Sequence, residues 1–376
     1  MSLQRSLTII SHTEHYKNIN GEIVGWEPTV REINHLSNIF DFVYHVAPFY
    51  SETPHNANAP YKSDKIKYIP IKPTGGQGIL KKLGILLHMP FIMVKLIRII
   101  NKTDWVHFRA PTNLGFIVLP LLSLYKYKKK WVKYAGNWKQ QEIPLSYSIQ
   151  RWWLSKNYNK SIVTINGKWN DQKQHLITFL NPCLNEEELS MANIIGQNKD
   201  YSQDLNVCFV GRLDLNKGIN RILKAINDIG KMKKIKSIDI VGGDYGYDKN
   251  SLIINNIKTN YWGWINRGKL NHIYEKSHII ILPSQSEGFP KVIAEAAAFG
   301  CIPIVTNIFP INQLILHEVN GLLLDNPSSE KIRECILKVD KGAFKLKDIS
   351  KLTMKLSNQF TYRHYVNRIE DEIINV

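Results

Sequence analysis

The sequence predicts an α/β protein made of two doubly wound halves, each built around a parallel sheet. Apolar runs of strand length alternate with longer helical stretches along the chain, which is the pattern of repeated βα units. At 376 residues the chain is too long for one ordinary hydrophobic core and suits two domains. We therefore expect an N-terminal domain over residues 1–185 and a C-terminal domain over residues 186–359.

The individual elements follow from this alternation in chain order. In the first half we predict strands at 6–11, 40–46, 67–70, 105–108, 130–134 and 161–165. In the second half we predict strands at 206–210, 237–241, 279–282 and 302–305, and helices at 218–229, 267–276 and 290–299. The polar stretch 185–203 loses the alternation, and we interpret it as the linker between the two halves.

The charge balance favours polyanionic partners. Forty-nine Lys and Arg residues stand against thirty-two Asp and Glu, which gives a formal net charge of +17. Nucleic acid, anionic lipid headgroups and phosphate-bearing ligands would all satisfy such an excess. Two stretches, 126–131 and 151–153, interleave cations with aromatic residues as single-strand-binding proteins do, but we interpret them as a strand entry and a surface face.

The cysteines and the N-terminus indicate a reducing compartment. Four cysteines lie far apart with no CxxC pair, which argues against a zinc knuckle or a disulfide scaffold. The N-terminal apolar run is too short for a secretory leader, and no segment offers the roughly eighteen uninterrupted apolar residues of a spanning helix. We expect a cytoplasmic protein, and we leave open that it binds peripherally to the inner face of the cytoplasmic membrane.

The segment 78–101 combines many large apolar residues with Lys81, Lys82, Lys95 and Arg98. A basic amphipathic helix of this composition can lie in a membrane interface, and it can equally be a core helix with a charged outer face. Pro90 would kink such a helix or split it in two. The glycine-rich stretch 74–78 before it lacks the ending of a P-loop, and we interpret it as a loop that moves when the domains close.

The stretch 206–218 reads as a buried strand that ends at Gly211, followed by a loop with Arg212 and Lys217 and then a helix. In open α/β sheets, ligands bind at the carboxyl ends of the strands. The free amides of a helix N-terminus favour an anion, and Arg can hold a diphosphate through two hydrogen bonds where Lys supplies a point charge. The alternative is an ordinary βα turn with two solvated cations.

The stretch 279–305 carries two carboxylates, Glu287 in the loop after a strand and Glu295 inside the next helix. Gly288 lets backbone approach a ligand closely, and Pro290 suits the first turn of the helix. A carboxylate such as Glu295 can accept hydrogen bonds from two neighbouring hydroxyls of a ribose. The alternative is a solvated Glu295 on a helix face, but its alanine neighbours indicate a close-packed helix, in which a charge needs a reason.

Together, GRLDLNKG at 211–218 and SEGFPKVIAEAAAFGCIPIV at 286–305 resemble the retaining glycosyltransferases of family GT4, with Glu287 and Glu295 as its E-x7-E motif. The stretch 261–265, with Gly263 and Trp264, looks like the family's strand and glycine turn beside the nucleobase. The resemblance implies the GT-B fold, in which two Rossmann-like domains face each other across a cleft. It also implies a C-terminal helix, about 360–376, that crosses back to the N-terminal domain.

By this resemblance, Arg212 and Lys217 would bind the donor diphosphate, Glu287 would contact sugar hydroxyls and Glu295 would hold the ribose. The three residues Arg212, Lys217 and Glu287 would be catalytic. The remaining donor-binding positions would be Gly211, Gly263, Trp264, Gly288, Phe289, Pro290, Lys291 and Val292. No DxD motif is present, and the resemblance implies that protein cations replace a metal ion. The nucleoside-diphosphate sugar would be a co-substrate, and no cofactor is expected.

The N-terminal half resembles the family more loosely. Asp104 to Arg109 matches a D-x-x-H strand end, which makes His107 and Arg109 candidates for the acceptor side. A buried core histidine is the alternative for His107. Many relatives have a histidine after the following strand where this chain has Asn137, and an amide cannot act as a general base. Three residues of the loop after the first strand, His12, Glu14 and His15, are further acceptor-side candidates, and a solvated polar loop is the alternative for all three.

We therefore expect a retaining, metal-independent glycosyltransferase that moves a sugar from a nucleoside-diphosphate donor to a hydroxyl of a glycan or a polyprenyl-diphosphate-linked glycan. A UDP-sugar is favoured over a GDP-sugar, and bacterial surface polysaccharide is the expected product. One alternative is a GT-B sugar-nucleotide epimerase, although its acid and base groups cannot be placed. Another alternative is a basic protein that binds nucleic acid or membrane and keeps only a vestigial sugar-nucleotide cleft.

Overall fold

The computed structural model describes residues 4–54, 57–73, 79–141, 143–202, 204–243, 254 and 257–376, with the backbone alone over 79–87. The chain divides into two compact units. The first comprises Met1–Phe179 and Val366–Val376, and the second comprises Leu180–Tyr365. The sequence placed the divisions after residues 185 and 359, and the structure places them after 179 and 365. The glycine-rich stretch 74–78 lies outside the described residues.

The first unit is an α/β domain, and its segment up to Phe179 has ten strands and four helices among the described residues. In chain order these are β1 (Ser6–Ile10), β2 (His15–Lys17), β3 (Ile23–Trp26), α1 (Glu27–Leu36), β4 (Phe42–Pro48), β5 (Asn58–Pro60), β6 (Ile66–Ile71), α2 (Ile79–Ile100), β7 (Trp105–Ala110), α3 (Gly115–Leu124), β8 (Lys129–Asn137), α4 (Leu145–Ser155), β9 (Ile162–Asn166) and β10 (Leu176–Thr178).

Seven of these strands form a parallel sheet in the order β10-β9-β8-β7-β1-β4-β6. All six strands predicted in the first half are confirmed, and β10 is an additional edge strand. The central strand β1 is buried on both faces, as continuous apolar runs in parallel sheets usually are. Its Ile9 lies opposite His45 of β4 and His107 of β7. A second, antiparallel sheet in the order β2-β3-β5 was not predicted.

Helices α2, α3 and α4 contribute to one hydrophobic cluster with strands β7, β8 and β9. Helix α2 runs as one helix through Pro90, with Ile92, Leu96 and Ile100 buried in that cluster. The expectation from the sequence was that Pro90 would kink this helix or split it in two, and the helix is not split. The core-packing interpretation of the segment is therefore correct for these side chains. Among the described residues, no helix is long and apolar enough to cross a bilayer.

The second unit is a second α/β domain. Its elements are α5 (Glu186–Gln197), β11 (Leu205–Val210), α6 (Ile219–Asn227), β12 (Ile235–Val241), β13 (Lys258–Gly263), α7 (Arg267–Lys276), β14 (Ile279–Leu282), α8 (Lys291–Ala298), β15 (Ile302–Thr306), β16 (Leu322–Leu324), α9 (Ser329–Asp340) and α10 (Leu346–Leu356). Two short 3₁₀ helices, Ile311–Gln313 and Ser357–Phe360, also belong to it.

The six strands of this unit form a parallel sheet in the order β13-β12-β11-β14-β15-β16. The four predicted strands and three predicted helices of the second half are confirmed. The predicted linker at 185–203 is wrong, because most of it is helix α5. Asn185 caps this helix, and its side chain and that of Glu188 form a reciprocal capping box.

The chain returns to the first unit at Val366, within helix α11 (Tyr362–Ile369), and ends in the π-helical turn Glu370–Ile374. Ile369 and Ile373 are completely buried. Arg368 donates a 2.9 Å hydrogen bond to the carbonyl of Thr178 and lies over the ring of Phe179, with 4.1 Å from its guanidinium carbon to the ring centre. The last residues are therefore an integral part of the first unit.

Candidate functional site

The loops after β11 and β14 form the centre of the candidate site in the second unit. From β11 the chain continues to β12 and β13 on one side, whereas β14 pairs with β11 on the other side. This reversal of strand order is the topological switch point at which open α/β sheets bind ligands. Asn216 joins the loops through two hydrogen bonds, since its carbonyl accepts from Gln285 N at 2.8 Å and its side-chain amide donates to Ser286 O at 3.3 Å. Arg221 of α6 adds a third, from Nη2 to Pro283 O at 2.8 Å.

The structure brings three predicted residues together at this point. Lys217 Nζ forms an ion pair with Glu287 Oε1, and both side chains are largely buried. Arg212 lies in the same loop as Lys217 and is half-exposed. Its Nε lies 3.3 Å from Asp214 Oδ2. The other oxygen of Asp214 accepts a 2.8 Å hydrogen bond from Lys217 N, which fixes the loop locally. Lys217 was predicted to bind the diphosphate of the donor and Glu287 its sugar hydroxyls. In the structure these two side chains pair with each other.

The strand ends beside this loop approach each other closely through glycines. Gly242 follows β12 with φ of 146°, and a Cβ at that position would lie 1.8 Å from the carbonyl oxygen of Gly211. Gly263, at the end of β13, has φ of 61°, and its carbonyl accepts a hydrogen bond from Gly242 N. The indole of Trp264 covers Gly243 so tightly that a Cβ there would lie 2.2 Å from Trp264 Nε1. The predicted Gly211, Gly263 and Trp264 therefore line one continuous edge.

Glu295 lies in α8 and is almost completely buried. Its Oε1 is 2.5 Å from Arg267 Nη1, and its Oε2 accepts a 3.3 Å hydrogen bond from the Tyr274 hydroxyl. Burial alone would lower the pKa of Arg267, but the carboxylates of Glu295 and Glu188 raise it above its ordinary value. The partner that the buried charge required is therefore Arg267. Each carboxylate oxygen has a second lone pair, so Glu295 can still accept a hydroxyl.

Helix α8 begins directly after the loop that contains Glu287 and Gly288. Pro290 stands at the N-cap, where its side chain caps no amide of the first turn, which begins with Lys291 and Val292. Phe289 is buried and stacks on Phe360 at 4.9 Å. The helix therefore starts from a fixed point and presents its first amides at the same end of the sheet as Lys217.

In the first unit, Arg109 belongs to a buried cluster of charges at the ends of β7 and β8. Glu32 of α1 is completely buried and accepts hydrogen bonds from Arg109 Nη1 at 2.6 Å and from Lys133 Nζ at 2.7 Å. Two cations therefore share one carboxylate. Although the His12 side chain is partly exposed, loss of hydration lowers its pKa, and the positive charge of Arg109 lowers it further, which indicates that these two predicted residues lie near each other.

Three further acceptor-side candidates occupy different environments. His107 is completely buried in the sheet and stacks on Trp131 at 3.7 Å, and burial holds its pKa well below the ordinary value. Glu14 is exposed and accepts a 2.6 Å hydrogen bond from Tyr16. Asn137 ends β8 and accepts a 3.1 Å hydrogen bond from Lys139 N. The structure places Glu14 and Asn137 at the carboxyl ends of strands and His107 inside the sheet.

His15, the remaining acceptor-side candidate, is completely buried. It belongs to a closed ring of hydrogen bonds that holds the loop after β1, and sequence reasoning missed this ring. His15 Nδ1 lies 2.8 Å from Thr13 O, which can only accept, so neutral His15 must donate there and accept at Nε2 from Tyr61. Tyr61 then accepts from His45 Nδ1 at 2.5 Å, and His45 Nε2 accepts from Ser11 at 2.7 Å. Thr13 N donates to Ser11 and closes the ring.

Burial keeps both imidazoles of this ring neutral. It lowers the pKa of His15 to about 4 and holds the pKa of His45 well below its usual value. The same burial raises the pKa of the Tyr61 hydroxyl. With every proton position determined, the ring fixes the loop from which His12 and Glu14 project.

Some of the residues that sequence reasoning missed have a recognisable local pattern in the sequence, and others do not. Asp214 gave a local signal, because an Asp three residues before Lys217 is typical of a side-chain-stabilised turn. The pair Gly242 and Gly243 directly after a predicted strand was also a recognisable pattern. Arg267 gave no local signal, because its pairing with Glu295 depends on how two helices pack.

Residues 190–354 match the model of the family described as "Glycosyl transferases group 1". An uncharacterized glycosyltransferase of Methanocaldococcus jannaschii is 27% identical over 47% of this chain and 47% of its own length. A Campylobacter jejuni α-1,4-N-acetyl-D-galactosaminyltransferase, named for an acceptor on PP-undecaprenol, is 30% identical over 39% of this chain and 40% of its own length. This chain therefore spans less than half the length of these curated relatives.

Solved structures of known glycosyltransferases match nearly the whole chain. Sucrose-phosphate synthase from Thermosynechococcus elongatus superposes with a TM-score of 0.73 at 14% identity and covers 98% of both chains. Anabaena HepE in complex with UDP and glucose superposes with a TM-score of 0.70 at 13% identity, over 99% of this chain and 100% of its own. The fold is that of the GT-B glycosyltransferases, with two Rossmann-like α/β domains.

Proposed function

We propose that this chain is a glycosyltransferase that moves a sugar from a nucleoside-diphosphate donor to a hydroxyl of a glycan or lipid-linked glycan. The observation that carries the proposal is the pairing of Lys217 with Glu287 across the loops of β11 and β14. A cation and a carboxylate lie together at the switch point of the sheet, which supports a site for a ligand that carries both phosphates and hydroxyls. The family match over 190–354 includes both residues and Glu295 and supports the same activity.

We propose a retaining, metal-independent reaction for this site. Sugar transfer makes the leaving phosphate more negative, and in this proposal Arg212, Lys217 and the first amides of α8 would stabilise that charge as it develops. Asn137 stands where a base would be expected, and an amide cannot take a proton at neutral pH. We therefore propose that the leaving phosphate itself accepts the proton of the acceptor hydroxyl.

The donor that we propose is a UDP-sugar, with a GDP-sugar as the next choice. Glu295, held by Arg267, would accept hydrogen bonds from the ribose, and the edge formed by Gly263 and Trp264 would border the base. The solved complex of Anabaena HepE with UDP and glucose supports a uridine nucleotide in this fold.

The acceptor that we propose is a glycan carried on a polyprenyl diphosphate at the membrane, in the assembly of a bacterial surface polysaccharide. The name of the C. jejuni relative, which includes PP-undecaprenol, supports an acceptor of this type. The net charge of +17 suits both a diphosphate-bearing acceptor and an anionic membrane surface.

Calorimetric titration of UDP and GDP into the wild-type chain and into Glu295→Gln tests the donor proposal. We expect UDP to bind the wild type and to bind Glu295→Gln about 10-fold or more weakly, because a charged hydrogen-bond acceptor is lost. Glu275→Gln, on the exposed face of α7, is the matched control and should bind UDP like the wild type. Binding of GDP alone would redirect the donor assignment, and no binding of either nucleotide would overturn the proposed function.

A further inference from the structure

Helix α3 in the first unit has an apolar outer face as well as an apolar inner face. Its sequence, GFIVLPLLSL, contains no charged residue. The side that packs on the sheet is buried, but Phe116, Pro120 and Leu124, spaced by four residues, face outward, and Leu124 is 77% exposed. A helix on the surface of a soluble domain normally carries polar residues on that side. An exposed row of this kind indicates a surface that binds something apolar.

Helix α4 packs beside α3 and repeats the pattern. Its outward positions are Leu145, Ile149 and Trp152, with Leu145 76% exposed and Trp152 49% exposed. Tyr158, in the turn after the helix, is also exposed and meets the Trp152 ring edge-on at 5.4 Å. Tryptophan and tyrosine favour the boundary between lipid headgroups and acyl chains, because their rings are apolar and carry one polar tip.

Helix α2 shares the hydrophobic cluster of α3 and α4 and so covers the same face of the sheet. Its Phe91 is 78% exposed and its Val94 is also exposed. We call the exposed side chains Phe91, Val94, Phe116, Pro120, Leu124, Leu145, Ile149, Trp152 and Tyr158 the outer apolar face. Three successive helices therefore contribute to one such face.

The stretch of chain that carries the outer apolar face is strongly basic. Residues 79–160 hold fifteen Lys and Arg residues and only two acidic residues, Asp104 and Glu142, in a chain whose total net charge is +17. Exposed cations lie in or after the last turns of the three helices: Arg98 and Lys102 for α2, Lys126 and Lys129 for α3, and Lys156 and Lys160 for α4. Since the C-terminal ends of helices on one face of a parallel sheet lie at the same edge, these cations border one side of the face.

We propose that the outer apolar face is the surface by which this chain docks on an anionic lipid bilayer. The apolar rows would enter the headgroup region, Trp152 and Tyr158 would lie at its boundary, and the bordering cations would contact the phosphates. A second copy of the chain fits this surface less well, because almost no carboxylate in 79–160 is present to pair with the bordering cations. This proposal rests on the proposed function only for the purpose of docking: a transferase with a membrane-borne acceptor must come to the membrane to reach it.

Flotation with vesicles of phosphatidylglycerol and phosphatidylcholine in equal parts, compared with pure phosphatidylcholine vesicles, tests the docking. We expect the wild type to float with the anionic vesicles, and the variant Phe116→Ser/Leu124→Ser/Trp152→Ser to bind them about 10-fold or more weakly. The variant with Lys126, Lys129, Lys156 and Lys160 changed to Gln should lose binding most strongly at low salt. The control Met191→Ser/Ile194→Ser/Leu352→Ser changes exposed apolar residues of the second unit and should float like the wild type.

Circular dichroism and UDP titration of each variant separate docking from folding and from the proposed function. A folded triple variant that still binds UDP but no longer floats supports the proposal. Unchanged flotation of both first-unit variants would overturn it. Sedimentation that shows a wild-type dimer and a monomeric triple variant, without vesicles, would also overturn it and assign the face to a second copy. A chain that floats but binds no nucleotide would contradict the proposed function and leave the docking surface standing.

Discussion

Glu287 and Glu295 belong to one sequence motif, but each is paired with a cation from a different element. Glu287 meets Lys217 from the loop after β11, and Glu295 meets Arg267 from the start of α7. The sequence identified both carboxylates and Lys217, because each stands in a short pattern with a chemical meaning. It did not identify Arg267, because burial of the Glu295 carboxylate requires a partner without indicating where in the chain that partner lies.

At the scale of single residues, we expect Lys217→Met to lower the turnover number by about 10²-fold, because the leaving phosphate loses one fixed cation. The measurement is steady-state transfer from a UDP-sugar, combined with a thermal melt of the variant. Lys224→Met is the control: this exposed lysine pairs with Asp228 on α6, and its loss should leave turnover near the wild-type value. A large fall in melting temperature with turnover retained would show that the pair with Glu287 is structural only.

The elements that the sequence predicted are those whose pattern is local. The strands of both parallel sheets are short apolar runs between polar turns, and all ten predicted ones are present. The antiparallel strands β2, β3 and β5 could not be predicted, because they are only three or four residues long. In addition, β5 pairs with β3 from a distant part of the chain. Helix α5 was mistaken for a linker although its capping box, Asn185 with Glu188, is readable in the sequence.

At the scale of elements, the ring of hydrogen bonds joins the loop after β1 to β2, β4 and the residue after β5. Tyr61→Phe removes the hydroxyl on which both histidines depend, and leaves His45 Nδ1 and His15 Nε2 without that partner. We expect the free energy of unfolding to fall by about 1–3 kcal/mol, as for a buried group left unsatisfied. Denaturant unfolding measures this loss.

Tyr68→Phe is the matched control for this change. The Tyr68 hydroxyl makes one hydrogen bond, to the carbonyl of Ala47, and its ring stacks on His15 without belonging to the ring of hydrogen bonds. Its removal should cost less than the removal of the Tyr61 hydroxyl. Equal losses for both variants would mean that the two histidines find other partners and that the ring does not fix the loop.

At the scale of the whole molecule, buried neutral histidines predict sensitivity to mild acid. Burial lowers the pKa of His15 and of His278 to about 4, and holds the pKa of His45 and His107 well below 6.5. Below about pH 6.5 these histidines are therefore protonated in the unfolded chain but remain neutral in the folded chain. The stability that these groups contribute is complete above that pH and is lost progressively as the pH falls toward 4.

For His15 alone, a pKa of about 4 in place of 6.5 corresponds to about 3 kcal/mol of stability lost on acidification. Thermal melts between pH 7 and pH 4.5 should show a steady fall in the melting temperature. Three of the four histidines lie in the first unit, so hydrogen exchange should show that unit opening at the higher pH. A melting temperature constant over this range would contradict the neutral state assigned to these histidines.

The two-unit organisation could be predicted from length and alternation, but its exact divisions could not. Residues 180–185 and 360–365 belong to the second unit. There, Tyr362 N donates a 2.8 Å hydrogen bond to Leu184 O, and Cys183 N donates one to Phe360 O. Such pairing between segments far apart in the chain leaves no local pattern, so a boundary drawn from composition falls several residues away from the boundary set by contacts.

The return of Val366–Val376 to the first unit has a consequence for biosynthesis. A ribosome finishes residues 1–179 long before it makes the helix that buries Ile369 and Ile373 against them. The first unit to emerge is thus the last to be completed, and it waits with uncovered apolar surface while the entire second unit is translated. Exposed apolar surface on an incomplete domain promotes aggregation and is what chaperones bind. The first unit can therefore complete its fold only after both units have been translated.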